Sequence, residues 1–208
     1  MKIIDISIPL NNQTIIYPGN VPVSVTAHQS MPESSSASSS ITLGSHTGTH
    51  IDAPAHVILG ASTLDKIPLE HFVGLCRVLD FSKNDGESVT KEMLESKNVK
   101  SGERILLKTR NSVRGFKEFY EDYIYLDGDA ADYLAEMGSL LVGIDFLSIK
   151  KRGGEDSRPH TSLLSKNIPI VEGLNLVQVE EGEYELACLP LAFTGMDGSP
   201  ARAILIQR

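Results

Sequence analysis

Three of the chain's six histidines fall between positions 46 and 56, in the run Ser45-His46-Thr47-Gly48-Thr49-His50-Ile51-Asp52-Ala53-Pro54-Ala55-His56. A lone histidine is more often a surface or core residue than a ligand. Three in one short loop, with a carboxylate among them, answer no packing need. Imidazole nitrogen and carboxylate oxygen are the donors that borderline divalent ions such as zinc prefer. His46, His50 and Asp52 supply three ligands, which leaves a coordination position for a water that the ion acidifies into a nucleophile. His56 is then the unligated histidine. Its imidazole titrates near neutrality, so it can take a proton from that water and give it to a leaving amine.

The local backbone follows from the same residues. Gly48, the β-branched Thr47, Thr49 and Ile51, and Pro54 all work against a helix, so the His46–His50 gap is not the helical two-histidine device of metalloproteases. A tight loop entering a strand is expected, with Gly48 supplying backbone freedom. His50 and Asp52 are two apart and point to the same side of an extended segment, and His56 comes round after the turn at Pro54. His160 and Glu172 are candidate ligands from the far half. Pro159 suits the first position of a short helix, which places His160 in its first turn. Glu172 ends the strand Ile168–Val171. With Asp52 and Glu172 as bridging carboxylates, the set suits two ions about 3.5–4 Å apart.

The remaining elements must bring these two halves together. Lys2 to Pro9 and Val23 to Ala27 read as strands of a half-buried sheet. The serine run Ser34–Ser40 reads as a flexible surface loop in preference to a substrate lid, followed by a short strand, Ile41 to Gly44. Thr63 to Phe72 suggests short helical turns around Pro68. Gly74 to Phe81 is a strand with Leu75, Val78 and Leu79 as core candidates. Thr90 caps a helix over Lys91–Lys97, and Arg104 to Thr109 is a strand. The aromatic stretch from Asn111 to Asp127 suits core or subunit contact more than a substrate wall. Asp129 caps a helix that runs to Met137, with Gly138 as its stop. Leu140 to Ile144 is an apolar run typical of a central, doubly covered strand. A polar loop follows from Lys150 to Arg158. Glu185 to Phe193 and Ala203 to Ile206 supply the last strands, separated by the turn-rich loop Gly195–Pro200. No repeat and no linker divides the chain, so residues 1–208 are expected to form one mixed α/β domain.

Composition narrows the function. The chain has 208 residues, and its 41% apolar and 22% charged residues are those of an ordinary globular protein. A net charge of −8 argues against nucleic acid and anionic membrane surfaces as partners. No apolar run approaches the ~18 residues of a membrane span. The opening Met1-Lys2-Ile3-Ile4-Asp5 has no signal-peptide pattern. Cys76 and Cys188 sit among apolar neighbours and read as buried free thiols, which suits a cytoplasmic protein.

The loop from His46 to His56 resembles the HxGTHxDxPxH signature of the cyclase family of metal-dependent hydrolases. That family includes bacterial kynurenine formamidases and isatin hydrolases. Tyr17-Pro18-Gly19-Asn20 resembles a family element near the start, and Leu64-Asp65-Lys66-Ile67-Pro68-Leu69, Val142-Gly143-Ile144-Asp145, Pro159-His160 to Val171-Glu172, and Gly198-Ser199-Pro200-Ala201-Arg202 resemble later family elements in order. The resemblance implies a swivelling β/β/α fold with a mixed sheet, assembled as a homodimer or homotetramer. It implies that His46, His50 and Asp52 hold one ion, that Asp52 and Glu172 bridge to a second bound by His160, and that His56 is the acid/base residue. The metal it implies is zinc, with manganese as the alternative, in one or two ions. The implied reaction is hydrolysis of a small aryl-linked amide of the N-formylkynurenine type, with ring opening of a cyclic amide or lactone as the alternative. A non-catalytic metal-binding protein is the reading from another class. Tyr17 stands where the formamidases carry a substrate-stacking Trp. Phe146-Leu147-Ser148-Ile149 replaces a Thr/Ser-rich turn, and Asn20 replaces an Asp. These departures bear on the substrate, not on the metal chemistry.

Overall fold

The computed structural model describes residues 1–207. Twelve strands are present among them: β1 (Lys2–Asp5), β2 (Ser24–Gln29), β3 (Ser38–Thr42), β4 (His50–Asp52), β5 (Val73–Asp80), β6 (Ser88–Val89), β7 (Arg104–Lys108), β8 (Tyr125–Leu126), β9 (Leu141–Ile144), β10 (Ile170–Glu172), β11 (Gly182–Pro190) and β12 (Gly198–Gln207). The helices are α1 (Lys91–Ser96), α2 (Arg110–Arg114), α3 (Gly128–Glu136) and α4 (Arg158–Leu164). Short 3-10 turns at Leu64–Lys66 and Leu69–His71 flank Pro68, as its ring and the surrounding pattern predict.

The main sheet closes on itself. Seven strands run in the order β12-β11-β5-β7-β9-β10-β4, and β4 pairs back to β12. Strands β5, β7, β9 and β10 are parallel to their neighbours among themselves, and the other pairings are antiparallel. Parallel neighbours need crossovers, which is where the helices sit. Strand β12 is long enough to serve two partners on one side, β4 through Gly198–Pro200 and β1 through Ile204–Gln207.

The two-residue period of the strands divides the core. Cys76, Val78, Leu106, Leu141 and Val171 point into the barrel and meet Ile6, Ile51, Leu186 and Leu205. Their alternates Leu79, Ile105, Leu107, Val142, Ile144 and Ile170 point outward under the helices, against Leu94, Ala131, Leu134 and Leu163. Strand β9 is buried at all four positions, as a central strand covered on both faces must be.

Four expectations need correction. Ser38–Ser40 is not loop but part of β3, which forms a hairpin with β2; main-chain pairing needs no apolar side chain, so the serines hid it. The cap of α3 is Asp127, whose Oδ1 accepts from the Ala130 amide at 2.7 Å, while Asp129 lies inside the first turn and pairs with Arg158. Leu75 is 74% exposed, because its neighbour Cys76 takes the inward face. Gly198–Pro200 opens β12 instead of lying in a loop, its turn residues held by pairing to β4. The aromatic stretch from Asn111 begins inside α2, which Thr109 caps by accepting from the Asn111 amide. No helix among the described residues is long and apolar enough to cross a membrane.

Candidate metal centre

Strand β4 carries His50 and Asp52 into the barrel wall between β10 and β12. His50 is the register partner of Glu172 on one side and of Pro200 on the other, and Asp52 faces Ile170 and Gly198. The loop that delivers them is tightly held. Thr49 Oγ1 donates to the Gly173 carbonyl at 2.6 Å and accepts from the Ile8 amide at 2.8 Å. Gly48 has φ +61° and Gly173 φ +71°, and a Cβ on Gly173 would lie 2.3 Å from the Gly48 carbonyl oxygen. Only glycine permits that approach.

All six expected residues converge. His46 Nδ1 lies 2.7 Å from Asp52 Oδ1. His50 Nε2 is 3.4 Å from Asp52 Oδ1 and 3.4 Å from Glu172 Oε2. His160, in the first turn of α4, places Nε2 3.2 Å from Glu172 Oε1 and 3.6 Å from Asp52 Oδ2. The His56 ring lies 4.0 Å from that of His46 and 5.6 Å from that of His160, centre to centre. His50 Nδ1 donates to the Gly48 carbonyl at 2.9 Å, which fixes the ring and aims Nε2 at the carboxylates.

Charge sorts the histidines into two kinds. Burial alone would lower the pKa of His50, but the Asp52 and Glu172 carboxylates overcome it and push it up to about 10. Burial is likewise outweighed by Asp52 at His46 and by Glu172 at His160, and both are raised. Asp52 lies well below the usual carboxylate range, because its imidazole partners outweigh its burial. His56 goes the other way: burial lowers it, and no hydrogen bond holds its ring nitrogens among the described residues.

The donor set fits a divalent ion. Asp52 Oδ2 is fully buried and has no hydrogen-bond donor, a costly state for a carboxylate oxygen that a bound cation relieves. Donor atoms of His50, Asp52 and Glu172 lie within 4.8 Å of one another, and so do those of His46, Asp52 and His56. Asp52 belongs to both groups, as a bridging carboxylate would.

Beside this cluster is a cavity of about 230 Å³ whose wall includes Tyr17, Asn20, His56, Leu147 and Lys150. Tyr17 meets Phe119 edge to face at 5.3 Å. Phe119, Tyr123, Phe116 and Tyr120 gather around the buried Phe146, so the aromatic stretch forms core behind the cavity. Sequence reasoning missed Asp197, whose Oδ2 is 2.8 Å from His46 Nε2. It also missed Lys150 and Lys151 on the cavity wall. An aspartate in a turn-rich loop and two lysines in a polar loop give no signal of their own. Asp145 is not part of the cluster; it is buried elsewhere, accepting from Thr109 and Ser112.

The family model described as putative cyclase matches residues 4–151. A kynurenine formamidase of Bacillus cereus is 38% identical over 203 residues, which are 97% of this chain and 96% of that protein. The chain belongs to the cyclase family. A solved structure described as a potential metal-dependent hydrolase with cyclase activity is 34% identical, with a TM-score of 0.88 over 100% of this chain and 98% of that one. Isatin hydrolase A from Ralstonia solanacearum shares the fold, with a TM-score of 0.84 at 23% identity over 99% of this chain and 92% of that one. The cyclase-family resemblance carried by the His46–His56 loop is thus borne out, and so is the mixed α/β fold.

Proposed function

We propose that this cyclase-family chain is a divalent-metal-dependent hydrolase of small aryl-linked amides, with N-formylkynurenine-type formamides as the substrate class. The observation that carries the reading is the buried, donor-less Asp52 oxygen among three imidazoles, with a fourth, unbonded imidazole at the cavity. The 38% identity to a kynurenine formamidase over nearly the whole chain supports the arylformamide class.

By the family resemblance His46, His50 and Asp52 would hold one ion, and Asp52, Glu172 and His160 a second; the donor spacing also places His56 beside His46 and Asp52. Zinc suits this nitrogen and oxygen donor set, with manganese the alternative. A divalent ion bound there would supply Lewis acidity to a water and to the amide carbonyl. His56 does the proton work. Its lowered pKa leaves it neutral near pH 7, with a free nitrogen lone pair to accept the proton the water gives up. It returns that proton to the amide nitrogen as the C–N bond breaks, so the products are formate and an aryl amine. Tyr17 offers a ring face to the substrate's aryl group.

Ring opening of a cyclic amide or lactone is the second reading, favoured by Tyr17 and Leu147 in the cavity wall where formamidases differ. It uses the same metal and His56. A purely structural metal site would be closed, and an unligated histidine at a cavity argues against it.

The chain acts as a homodimer or homotetramer; the exposed apolar side chains of Leu189, Leu191 and Phe193 support this. Two buried, unpaired thiols support a cytoplasmic setting.

The test compares His56→Ala with Asp52→Ala. The reading expects His56→Ala to keep its metal and lose turnover, and Asp52→Ala to lose both. A His56→Ala protein that loses its metal would make His56 a ligand beside His46 and Asp52. One that turns over like the parent would remove it from the reaction.

A further inference from the structure

One cation on the cavity wall makes no direct ion pair among the described residues. Lys150 and Lys151 both line the cavity. Lys151 is committed, its Nζ 3.0 Å from Glu87 Oε2 and 5.5 Å from the centre of the Tyr125 ring. The other cations of the same loop are occupied too, Arg152 by Glu121 at 2.7 Å and Arg158 by Asp156 at 2.9 Å. Lys150 differs. Its Nζ donates to the Gly154 carbonyl at 2.5 Å, and no carboxylate lies within ion-pair distance of it among the described residues; its charge is felt by Asp156, but that carboxylate is already held by Arg158 at 2.9 Å. An ammonium carries three donors, so two are left for a ligand. Carboxylates are not scarce, for the chain has 27 acidic side chains against 19 Lys and Arg.

The backbone that carries this ammonium is tied to the metal centre. The Ile149 amide donates to Glu172 Oε1 at 2.7 Å. The Lys150 amide donates to Ser148 Oγ at 3.3 Å, and the Tyr123 hydroxyl donates to the Lys150 carbonyl. The backbone under Lys150 is thereby tied to a metal-site carboxylate and to the aromatic core. A half-buried charge on a concave wall is stabilised when a ligand brings the opposite one.

We propose that Lys150 is a specificity-determining residue that binds an anionic group, a carboxylate, on the part of the substrate remote from the scissile amide. The inference rests on the aryl-amide reading above: the metal centre takes the amide, Tyr17 the ring, and Lys150 the anionic tail. It predicts that this enzyme prefers aryl amides bearing a carboxylate side chain over neutral ones.

The test is calorimetric binding of two product-shaped probes to metal-loaded protein. One is 4-(2-aminophenyl)-4-oxobutanoate, which carries the carboxylate, and the other is 2-aminoacetophenone, which lacks it. The parent is expected to bind the carboxylate probe at least about tenfold more tightly. Lys150→Met brings that ratio toward one, and Lys150→Arg keeps it; metal content at the parent's level shows that both variants are folded. Equal affinity of the parent for the two probes overturns the inference. So does a preference that survives in Lys150→Met, which would send the carboxylate to the metal. Turnover of the formylated form of each probe is read separately. A Lys150-dependent binding preference without turnover supports Lys150 as the anion site and removes the amide reading alone.

Discussion

His50 and Glu172 are register partners across the β4–β10 pair, and His50 Nε2 lies 3.4 Å from Glu172 Oε2. Two ligands from halves of the chain more than a hundred residues apart are thus set by main-chain pairing, before any ion arrives. Glu172→Gln keeps the shape and removes the charge. It is expected to bind fewer ions per chain than the parent, while thermal unfolding remains cooperative. Metal analysis after gel filtration checks this, and parental stoichiometry would show that Glu172 is no ligand.

Metal binding should release protons. Without an ion, the carboxylates raise the pKa of His46 and His160 and push His50 up to about 10, so the His50 ring carries a proton at pH 7 that a metal must displace. Affinity therefore rises with pH. Titrating metal into stripped protein in two buffers of different ionisation enthalpy is expected to give different apparent heats. Equal heats would contradict the charge state assigned to His50.

The two thiols predict alkaline behaviour. Burial pushes both Cys76 and Cys188 up to about 12, against an ordinary 9.0. As pH rises past 9.0 the unfolded chain loses these protons first, so the native state holds more of them and stability falls until the native thiols ionise as well. Burial raises Tyr17, Tyr123 and Tyr184 also, and these act in the same direction. The urea midpoint should drop between about pH 8 and about pH 10.5, with a smaller drop in Cys188→Ala. At about pH 8 neither thiol of the native protein should react with a disulfide reagent, and both should react in denaturant. Rapid reaction of the native protein would contradict their burial.

Asp145 ties the end of β9 to the start of α2. It accepts from the Thr109 amide at 2.7 Å, Thr109 Oγ1 at 2.8 Å, the Ser112 amide at 3.0 Å and Ser112 Oγ at 2.6 Å. Asp145→Ala leaves these buried donors without an acceptor, at a cost of at least about 3 kcal/mol. Urea unfolding at neutral pH measures it. A loss below about 1 kcal/mol would mean that water replaces the carboxylate.

The metal loop was legible because its chemistry is written in residue types: three histidines and an aspartate, with Gly48 and Pro54 shaping the backbone. Thr90 as a helix cap and β9 as a central strand were legible for the same reason, each being a local pattern with one physical cause. Asp197 was not, since it meets His46 only because β12 pairs beside β4. Ser38–Ser40 was misread because its strand is set by pairing with β2, which no side-chain pattern records. That Lys150 makes no direct ion pair depends on how Arg152, Arg158 and Lys151 divide the acids around them, which only the folded loop decides.

The most direct test of the central claim is formate release from N-formylkynurenine, measured with bound metal before and after dialysis against a chelator. The account predicts zinc or manganese bound to the active protein, loss of turnover with loss of metal, and recovery when metal is restored. Turnover that persists in metal-free protein, or protein that takes up no metal under any condition, would contradict it.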